Sequence, residues 1–313
     1  PVNEKNIITS TGALSLSSIP ERMLVVGGGY IGLEMGSVWS RLGTKVTVVE
    51  TLDRIVPNMD GEVANQFMKS LQKQGLEFKL SHKVLDSKSN TSDVDVTIES
   101  LKDKKQTKEK YNIVLLSVGR QPNTEGLNLD KIGVELTNQK AVKIDKQFKT
   151  NVEGIYAIGD VAPGPMLAHK AEEEGVACVE IIKGQKPHIN YNSIPAIVYT
   201  NPEIASVGKT EEQLKESKID YKIGKFPFMA NGRALTTSSP EGFVKILSHK
   251  KTDSILGAHI IGHDAGQLIA EIVTAMEFGG SSEDIARICH AHPTTSEAVK
   301  EAAMNIVGRA IHI

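Results

Sequence analysis

Short runs of consecutive apolar residues alternate with amphipathic segments in the first third of the chain. The apolar runs lie at 23–26, 45–49 and 113–118, and the helical segments lie at 31–42 and 60–74. Uninterrupted apolar strands are typical of parallel sheets that are covered on both faces. Alternation of such strands with helices therefore predicts an α/β fold with a Rossmann-like domain over residues 18–122.

The pattern changes after residue 122. An apolar run at 154–158 predicts one more buried strand, and a Gly/Pro loop and a helix over 167–183 follow it. Beyond residue 191 the strands come first and the helices later, an order that favours an α+β domain with an antiparallel sheet. We predict a linker over 1–17, the Rossmann-like domain over 18–122, a central segment over 123–190 and the α+β domain over 191–313.

Composition and charge exclude several classes of protein. The 313 residues are 40% hydrophobic and 24% charged, and the net charge is −2. Acidic and basic residues are interspersed, so we expect neither nucleic-acid nor membrane binding. Cys178 and Cys289 lie far apart, each inside a predicted helical segment, which fits a reducing compartment and no disulfide framework. We predict no metal site.

The loop after the first apolar run has the spacing Gly-x-Gly-x-x-Gly. Gly27 permits a tight turn, Gly29 lets the backbone approach a pyrophosphate, and Gly32 allows close packing of helix on strand. Tyr30 and Ile31 lie between the last two glycines, where the amino end of the helix would present N–H groups to phosphates. The alternative is a tight strand-to-helix turn with no ligand. The strand, helix and following acidic residue together favour a dinucleotide site.

Glu50 ends the second predicted strand, 18 residues after Gly32. A carboxylate there can accept hydrogen bonds from both ribose hydroxyls of NAD. Against the 2′-phosphate of NADP it would be a like charge at close range, which costs roughly 4 kcal/mol at about 4 Å and an effective dielectric of about 20. We therefore predict NAD rather than NADP.

Five further segments resemble one protein family. They are VGRQPN at 118–123, IYAIGDV at 155–161, HAHPTTSE at 290–297, GPMLAHKAEEEG at 164–175 and YTNPE at 199–203. The first three are similar to the FAD-dependent pyridine nucleotide–disulfide oxidoreductases. The last two resemble the branch of that family that oxidises protein-bound dihydrolipoyl groups, and its eukaryotic mitochondrial members in particular. The resemblance covers residues 6–313.

The resemblance implies a homodimer in the mitochondrial matrix that serves the lipoyl domains of the 2-oxoacid dehydrogenase and glycine cleavage complexes. Electrons would pass from substrate thiols through an enzyme disulfide and FAD to NAD. The family's Cys-x-x-x-x-Cys and the site for the ADP half of FAD belong to an amino-terminal segment that this chain lacks. We therefore expect the chain alone to be inactive, with an incomplete FAD site over 123–190 and dimerisation through 191–313.

The resemblance assigns His292 as the catalytic base and Glu297 as the carboxylate that orients it. A base is needed because a thiol with a pKa near 8.5 is only about a few per cent thiolate at neutral pH. Spacing alone leaves open that His292 is an ordinary histidine in a loop before a helix, without a catalytic role. The sequence Thr294-Thr295-Ser296-Glu297 is also a capping box with Glu297 at the third helical position.

Other matches place residues at the cofactors. Asp160 would contact the flavin ribityl chain, and its alternative role is a turn residue that bonds its own backbone. Glu34 would lie near the nicotinamide and flavin, and Gly119 and Arg120 would lie where NAD meets the flavin. The amino end of a helix would point at the flavin ring. The residues at that end are Met166, Leu167, Ala168 and His169.

Two alternatives stay open. The chain could be a non-catalytic module that binds NAD and dimerises. It could also belong to a sister flavin disulfide reductase such as glutathione reductase, against whose NADPH preference Glu50 argues.

Overall fold

A computed structural model describes all 313 residues, and they form two compact units. The first unit comprises residues 1–118 together with 195–313, and the second comprises residues 119–194. Each unit has its own hydrophobic core.

Thirteen strands and nine α-helices follow one another along the chain. The strands are β1 (Ile7–Ile8), β2 (Arg22–Val26), β3 (Lys45–Glu50), β4 (Glu77–Leu80), β5 (His82–Ser89), β6 (Val94–Ser100), β7 (Gln106–Tyr111), β8 (Ile113–Leu116), β9 (Ala196–Val198), β10 (Glu203–Gly208), β11 (Tyr221–Pro227), β12 (Phe243–His249) and β13 (Ile255–Gly262). The helices are α1 (Ser10–Ala13), α2 (Tyr30–Arg41), α3 (Gly61–Lys73), α4 (Ala168–Ile182), α5 (Glu211–Glu216), α6 (Gly232–Thr236), α7 (Ala265–Glu277), α8 (Ser282–Arg287) and α9 (Glu297–Asn305). None of these helices combines the length and the apolar character that a bilayer crossing requires.

The first unit contains a parallel five-stranded sheet in the order β1-β8-β2-β3-β4. The middle of each central strand is mainly apolar because both faces are covered: Met23, Leu24 and Val25 of β2 have no exposed surface. Helix α2 follows β2 directly and α3 follows β3, so the predicted α/β fold is confirmed. A separate antiparallel sheet, β5-β6-β7, is inserted before β8.

The same unit contains the predicted antiparallel sheet, in the order β11-β12-β13-β10-β9. Apolar side chains of α7, α8 and α9 pack against this sheet, and sheet and helices form one hydrophobic core. The α+β organisation expected beyond residue 191 is therefore confirmed.

The second unit has little regular structure besides α4. Phe148 packs with Ala177 and Cys178 of that helix, and partly buried apolar side chains surround them. Short 3-10 turns occur at Leu129–Ile132, Gly159–Val161 and Tyr191–Ser193.

Three expectations from the sequence are wrong in detail. Residues 1–17 are not wholly a linker, because β1 pairs in parallel with β8 and both of its isoleucines are buried. The run at 154–158 forms no strand and makes only one isolated bridge, between Lys149 and Tyr156. Helix α8 ends at Arg287, so Cys289 lies beyond a helix rather than in one.

A buried ion cluster joins α3 to the antiparallel sheet. The Lys245 Nζ atom lies 3.0 Å from Asp60 Oδ1, 3.2 Å from Glu62 Oε2 and 2.7 Å from Glu211 Oε2, and Lys245 is almost inaccessible to solvent. Burial favours the neutral form of Glu211, but its ion pairs with Lys215 and Lys245 prevail and lower the pKa of Glu211 to about 2. The cluster thus ties the start of α3 to strand β12 through paired charges.

Replacing Lys245 with methionine should therefore destabilise the first unit by about 3–5 kcal/mol, because it leaves buried carboxylates without their cation. Urea denaturation followed by circular dichroism measures the change. The matched control is Lys222→Met on the exposed part of β11, which should stay within about 0.5 kcal/mol of wild type. Equal effects of the two changes would contradict a stabilising role for the cluster.

Candidate functional site

The glycine-rich loop is shaped by two close backbone contacts. Gly27 follows β2 with a φ of +108°, and a Cβ placed on it would lie 2.5 Å from the carbonyl oxygen of Ser117. A Cβ on Gly32 would lie 2.5 Å from the Gly27 carbonyl oxygen and 2.5 Å from Ser117 Oγ. Both positions therefore require glycine for the tight turn and for the packing of α2 against β2.

Gly29 differs, because a Cβ there would meet no atom within 4 Å. Gly29 is also the N-cap of α2, and no side chain caps that end of the helix. The N–H groups of Tyr30 and Ile31 belong to the first turn, which has no intrahelical acceptors. Open space beside uncapped N–H groups fits a pyrophosphate.

Glu50 lies at the carboxyl end of β3, beside this loop. Its Oε2 accepts a hydrogen bond from the Gly28 N–H at 2.7 Å, and its Oε1 accepts bonds from the Leu52 N–H at 2.8 Å and the Thr51 hydroxyl at 3.0 Å. These bonds fix a carboxylate next to the loop at the sheet edge where α/β ligands bind. The group fits recognition of a ribose diol.

Two alanine substitutions should separate folding from nucleotide binding. Gly32→Ala should destabilise the unit by about 1–3 kcal/mol, because its methyl group would overlap the Gly27 carbonyl. Gly29→Ala should leave stability within about 0.5 kcal/mol of wild type. It should still weaken NADH binding about tenfold or more, because the methyl group would occupy the space for the pyrophosphate. Chemical denaturation and calorimetric titration measure the two effects, and a reversed pattern would contradict this geometry.

Glu34 lies one turn into α2. Its Oε1 accepts a hydrogen bond from the Tyr199 N–H at 2.8 Å, which connects α2 to the segment after β9. Burial raises the pKa of Glu34, and this hydrogen bond offsets only part of the shift. Glu34 is thus a carboxyl group whose proton affinity is increased close to the glycine-rich loop.

His292 and Glu297 lie together before and at the start of α9. His292 Nδ1 is 2.9 Å from Glu297 Oε1, and Glu297 Oε2 accepts a hydrogen bond from the Thr294 N–H at 2.8 Å. Partial burial works against the ionised form, but these two bonds prevail and lower the pKa of Glu297. The His292 side chain is 75% exposed. An anchored Nδ1 with an accessible ring is the arrangement that a general base needs.

The predicted capping box forms only in part. Glu297 is the first residue of α9 rather than the third, and the Thr294 hydroxyl donates to the carbonyl oxygen of Ala291 at 2.7 Å. The reciprocal bond from the Thr294 N–H to Glu297 is present. Glu297 therefore fixes this loop and holds the imidazole of His292 at the same time.

A second histidine supports the same loop. His290 Nε2 lies 2.6 Å from Glu271 Oε1 on α7, and its Nδ1 lies 3.1 Å from the Ile288 carbonyl oxygen. The His290 side chain is 7% exposed. His290 thus anchors the segment that presents His292.

The second unit brings two of the predicted cofactor residues together. Arg120 Nη2 donates to Asp160 Oδ2 at 3.0 Å, and both side chains are partly exposed. Gly119 precedes Arg120 with a φ of +130°, and Asp160 belongs to the 3-10 turn Gly159–Val161.

The start of α4 lies in the same unit. Leu167 is the N-cap of α4, and its side chain makes no capping hydrogen bond. Met166 precedes this end, and Ala168 and His169 begin the helix.

One polar network in the second unit was not predicted from the sequence. Lys170 and Glu174 form a fully buried ion pair, 3.1 Å between Nζ and Oε1. Their separation by four residues in a predicted helix was visible in the sequence, but their burial was not. Spacing of this kind is most often found on solvated helix faces.

The two cysteines are unsuited to form a redox pair with each other. Cys178 is buried within α4, Cys289 is exposed beyond α8, and both are free thiols. Burial raises the pKa of Cys178, which disfavours the reactive thiolate.

The chain is similar to known proteins over most of its length. The family model for pyridine nucleotide-disulphide oxidoreductases matches residues 2–175, and the model for the dimerisation domain of the same family matches residues 194–303. A mitochondrial dihydrolipoyl dehydrogenase of Pisum sativum is 56% identical over 312 residues, which are 100% of this chain and 62% of the relative. A leghemoglobin reductase of Glycine max is 56% identical over 97% of this chain and 58% of its own length.

A solved structure shows the same architecture. LpdA from Mycobacterium tuberculosis superposes with a TM-score of 0.88 at 26% sequence identity, covering 97% of this chain and 65% of LpdA. This chain thus spans less than two thirds of the length of these proteins. The glycine-rich loop, the paired histidine and carboxylate, and matches over most of the chain lead to one conclusion: the chain belongs to the pyridine nucleotide-disulphide oxidoreductase family.

Proposed function

We propose that the protein of which these 313 residues form part is a dihydrolipoyl dehydrogenase. It would oxidise protein-bound dihydrolipoyl groups and reduce NAD. The observation that carries this proposal is the pairing of His292 Nδ1 with Glu297 Oε1 at 2.9 Å, with the imidazole otherwise exposed.

This pair suits the deprotonation of a dithiol. Glu297 fixes the ring orientation and stabilises the imidazolium that forms, and Nε2 remains to accept the proton from a substrate thiol. The resulting thiolate is the nucleophile for thiol–disulfide exchange. His292 would thus hold the proton while the sulfur reacts.

Members of this family use FAD and a pyridine nucleotide. When bound, these groups supply the electron transfer that the side chains of this chain cannot perform. Gly27, Gly29 and Gly32 would shape the loop against the NAD pyrophosphate, with Glu50 at the ribose.

The remaining cofactor residues would serve the flavin. Asp160 would accept hydrogen bonds from the ribityl chain, and the amino end of α4 would stabilise negative charge on the reduced ring. The segment over 166–169 and the pair of Gly119 and Arg120 would line the same region. Glu34 would lie where the nicotinamide approaches the flavin.

The redox sulfurs would lie outside these 313 residues. Cys178 is buried and Cys289 is exposed, and these two thiols form no disulfide with each other, which supports this part of the proposal. The pea relative is longer, and this chain covers 62% of it. That the 313-residue chain is inactive by itself, with an incomplete FAD site, stays a prediction.

The proposed assembly is a homodimer in the mitochondrial matrix. The match to the family's dimerisation domain and exposed apolar side chains such as Tyr199, Phe278 and Ile288 support a subunit interface. The word mitochondrial in the names of several relatives supports the location. The lipoyl domains of 2-oxoacid dehydrogenase and glycine cleavage complexes are the proposed protein substrates.

A steady-state assay of the full-length protein tests the proposal. It should reduce NAD with dihydrolipoamide as the electron donor, and it should not oxidise NADPH with glutathione disulfide at a comparable rate. Glutathione disulfide turnover would instead identify a sister reductase. Binding of NAD without any dithiol oxidation would favour the non-catalytic module.

A further inference from the structure

Lys170 and Glu174 of α4 form a buried ion pair inside the second unit. Their side chains are 1% and 2% exposed, and Nζ lies 3.1 Å from Oε1. Burying two charges is costly unless each is paired and its remaining hydrogen-bonding atoms are satisfied. The partners of the pair therefore indicate what it holds in place.

Those partners belong to the segment that carries Asp160. Glu174 Oε2 accepts a hydrogen bond from the Gly159 N–H at 2.8 Å. Lys170 Nζ lies 3.3 Å from the Pro163 carbonyl oxygen and 3.5 Å from the Gly159 carbonyl oxygen. The ion pair thus binds the backbone at Gly159 and at Pro163, on both sides of Asp160.

Tyr191 completes the network. Its hydroxyl donates to Glu174 Oε1 at 2.9 Å, although its ring is about half exposed. Burial of the hydroxyl and its bond to Glu174 raise the pKa of Tyr191 to about 12, so the group remains a donor at neutral pH. The Glu174 carboxylate therefore has three donors: an ammonium, a phenol and a backbone amide.

The turn also approaches α4 closely. Gly159 has a φ of +68°, and a Cβ placed on it would lie 2.9 Å from the Cβ of Ala171. The adjacent Asp160 side chain is 40% exposed and pairs with Arg120. The backbone is thus fixed from the helix side while the Asp160 carboxylate faces outward.

We propose that Lys170, Glu174 and Tyr191 are positioning residues for the flavin. They fix the Gly159–Asp160 turn on α4, so that the Asp160 carboxylate and the amino end of the helix keep one mutual arrangement. This inference rests on the proposed function, which assigns Asp160 to FAD. It adds three residues that act through Asp160 without touching the cofactor.

The test uses the full-length holoprotein with Glu174→Gln, and with Glu173→Gln as the matched control on the exposed face of the same helix. Loss of one charged hydrogen-bond acceptor should weaken FAD binding roughly 10- to 100-fold, measured by fluorescence of released flavin after dialysis. The visible spectrum of the flavin that remains bound should shift. NADH affinity should stay within about twofold of wild type, because the glycine-rich loop makes no use of this network.

A purely stabilising role predicts a different result: a lower unfolding midpoint with unchanged FAD affinity and flavin spectrum in the folded protein. That result overturns the proposal. Should Glu174→Gln fail to fold, Tyr191→Phe decides, because it removes one hydrogen bond and keeps the ring. We expect a smaller loss of FAD affinity from it, and no loss overturns the proposal. A wild-type protein that binds no FAD would instead overturn the proposed function and this inference together.

Discussion

Replacing His292 with glutamine should lower kcat for dihydrolipoamide oxidation by the full-length protein by about 10²- to 10⁴-fold, the usual contribution of a positioned general base. The amide of glutamine can hydrogen-bond but cannot accept the thiol proton. His292 is the candidate because Glu297 holds its Nδ1 and three quarters of its side chain is exposed. Steady-state kinetics with dihydrolipoamide and NAD measure the loss.

His263→Gln is the matched control. His263 is also an exposed histidine beside a carboxylate, with its Nε2 3.5 Å from Asp264 Oδ2. It lies just after β13, in the same unit as His292. The control should keep kcat within about twofold of wild type. Equal losses in both variants, or none in either, would remove His292 from the proposed role.

The wild-type protein should bind NADH about a thousandfold more tightly than NADPH, because the Glu50 carboxylate would repel a 2′-phosphate at close range. Glu50→Gln should reduce that preference to about tenfold or less, mainly by improving NADPH binding. Calorimetric titration with both nucleotides measures the ratio. A preference for NADPH in the wild-type protein would contradict the assignment of Glu50 to the ribose.

The control for this experiment is Glu77→Gln. Glu77 begins β4, so it lies at the amino end of a strand, away from the edge where Glu50 ends β3. Its substitution should leave the nucleotide preference unchanged. The unfolding midpoint of Glu50→Gln should be recorded as well, because Glu50 also accepts bonds from the backbone at Gly28 and Leu52.

The parallel sheet was predictable because burial on both faces leaves a direct trace in the sequence, a run of consecutive apolar residues. Strand β1 left no such trace: two residues are too short to establish a period, and only pairing with β8 defines them. The apolar run at 154–158 wrongly predicted a strand, because its apolar residues are partly buried without belonging to a sheet. Tyr156 and Ile158 are apolar because they pack around Phe148, with no neighbouring strand to complete a ladder.

The glycine-rich loop and the pair of His292 and Glu297 were predictable to different degrees. The spacing of Gly27, Gly29 and Gly32 has a direct steric cause, so pattern and geometry coincide. His292 and Glu297 are five residues apart, which is no helical spacing, and a turn before α9 brings them together. Their pairing was expected from family resemblance rather than from spacing.

Buried charges were the least predictable feature. Lys245 and Asp60 are 185 residues apart, and no local pattern links them. Lys170 and Glu174 have the spacing of a solvated ion pair, yet both are buried. Charged residues are seldom fully buried unless paired, so the sequence favoured a surface position. Only the packing of the second unit distinguishes the two cases.

The central claim is that His292 serves the dithiol and the glycine-rich loop serves the nucleotide, as separate parts of one enzyme. Rapid mixing of the full-length His292→Gln protein with each substrate in turn tests it most directly. We predict that dihydrolipoamide reduces the bound flavin about 10²-fold or more slowly than in wild type. The rate at which NADH reduces the same flavin should stay within about twofold of wild type. Equal slowing of both reactions, or an unchanged reaction with dihydrolipoamide, would contradict the claim.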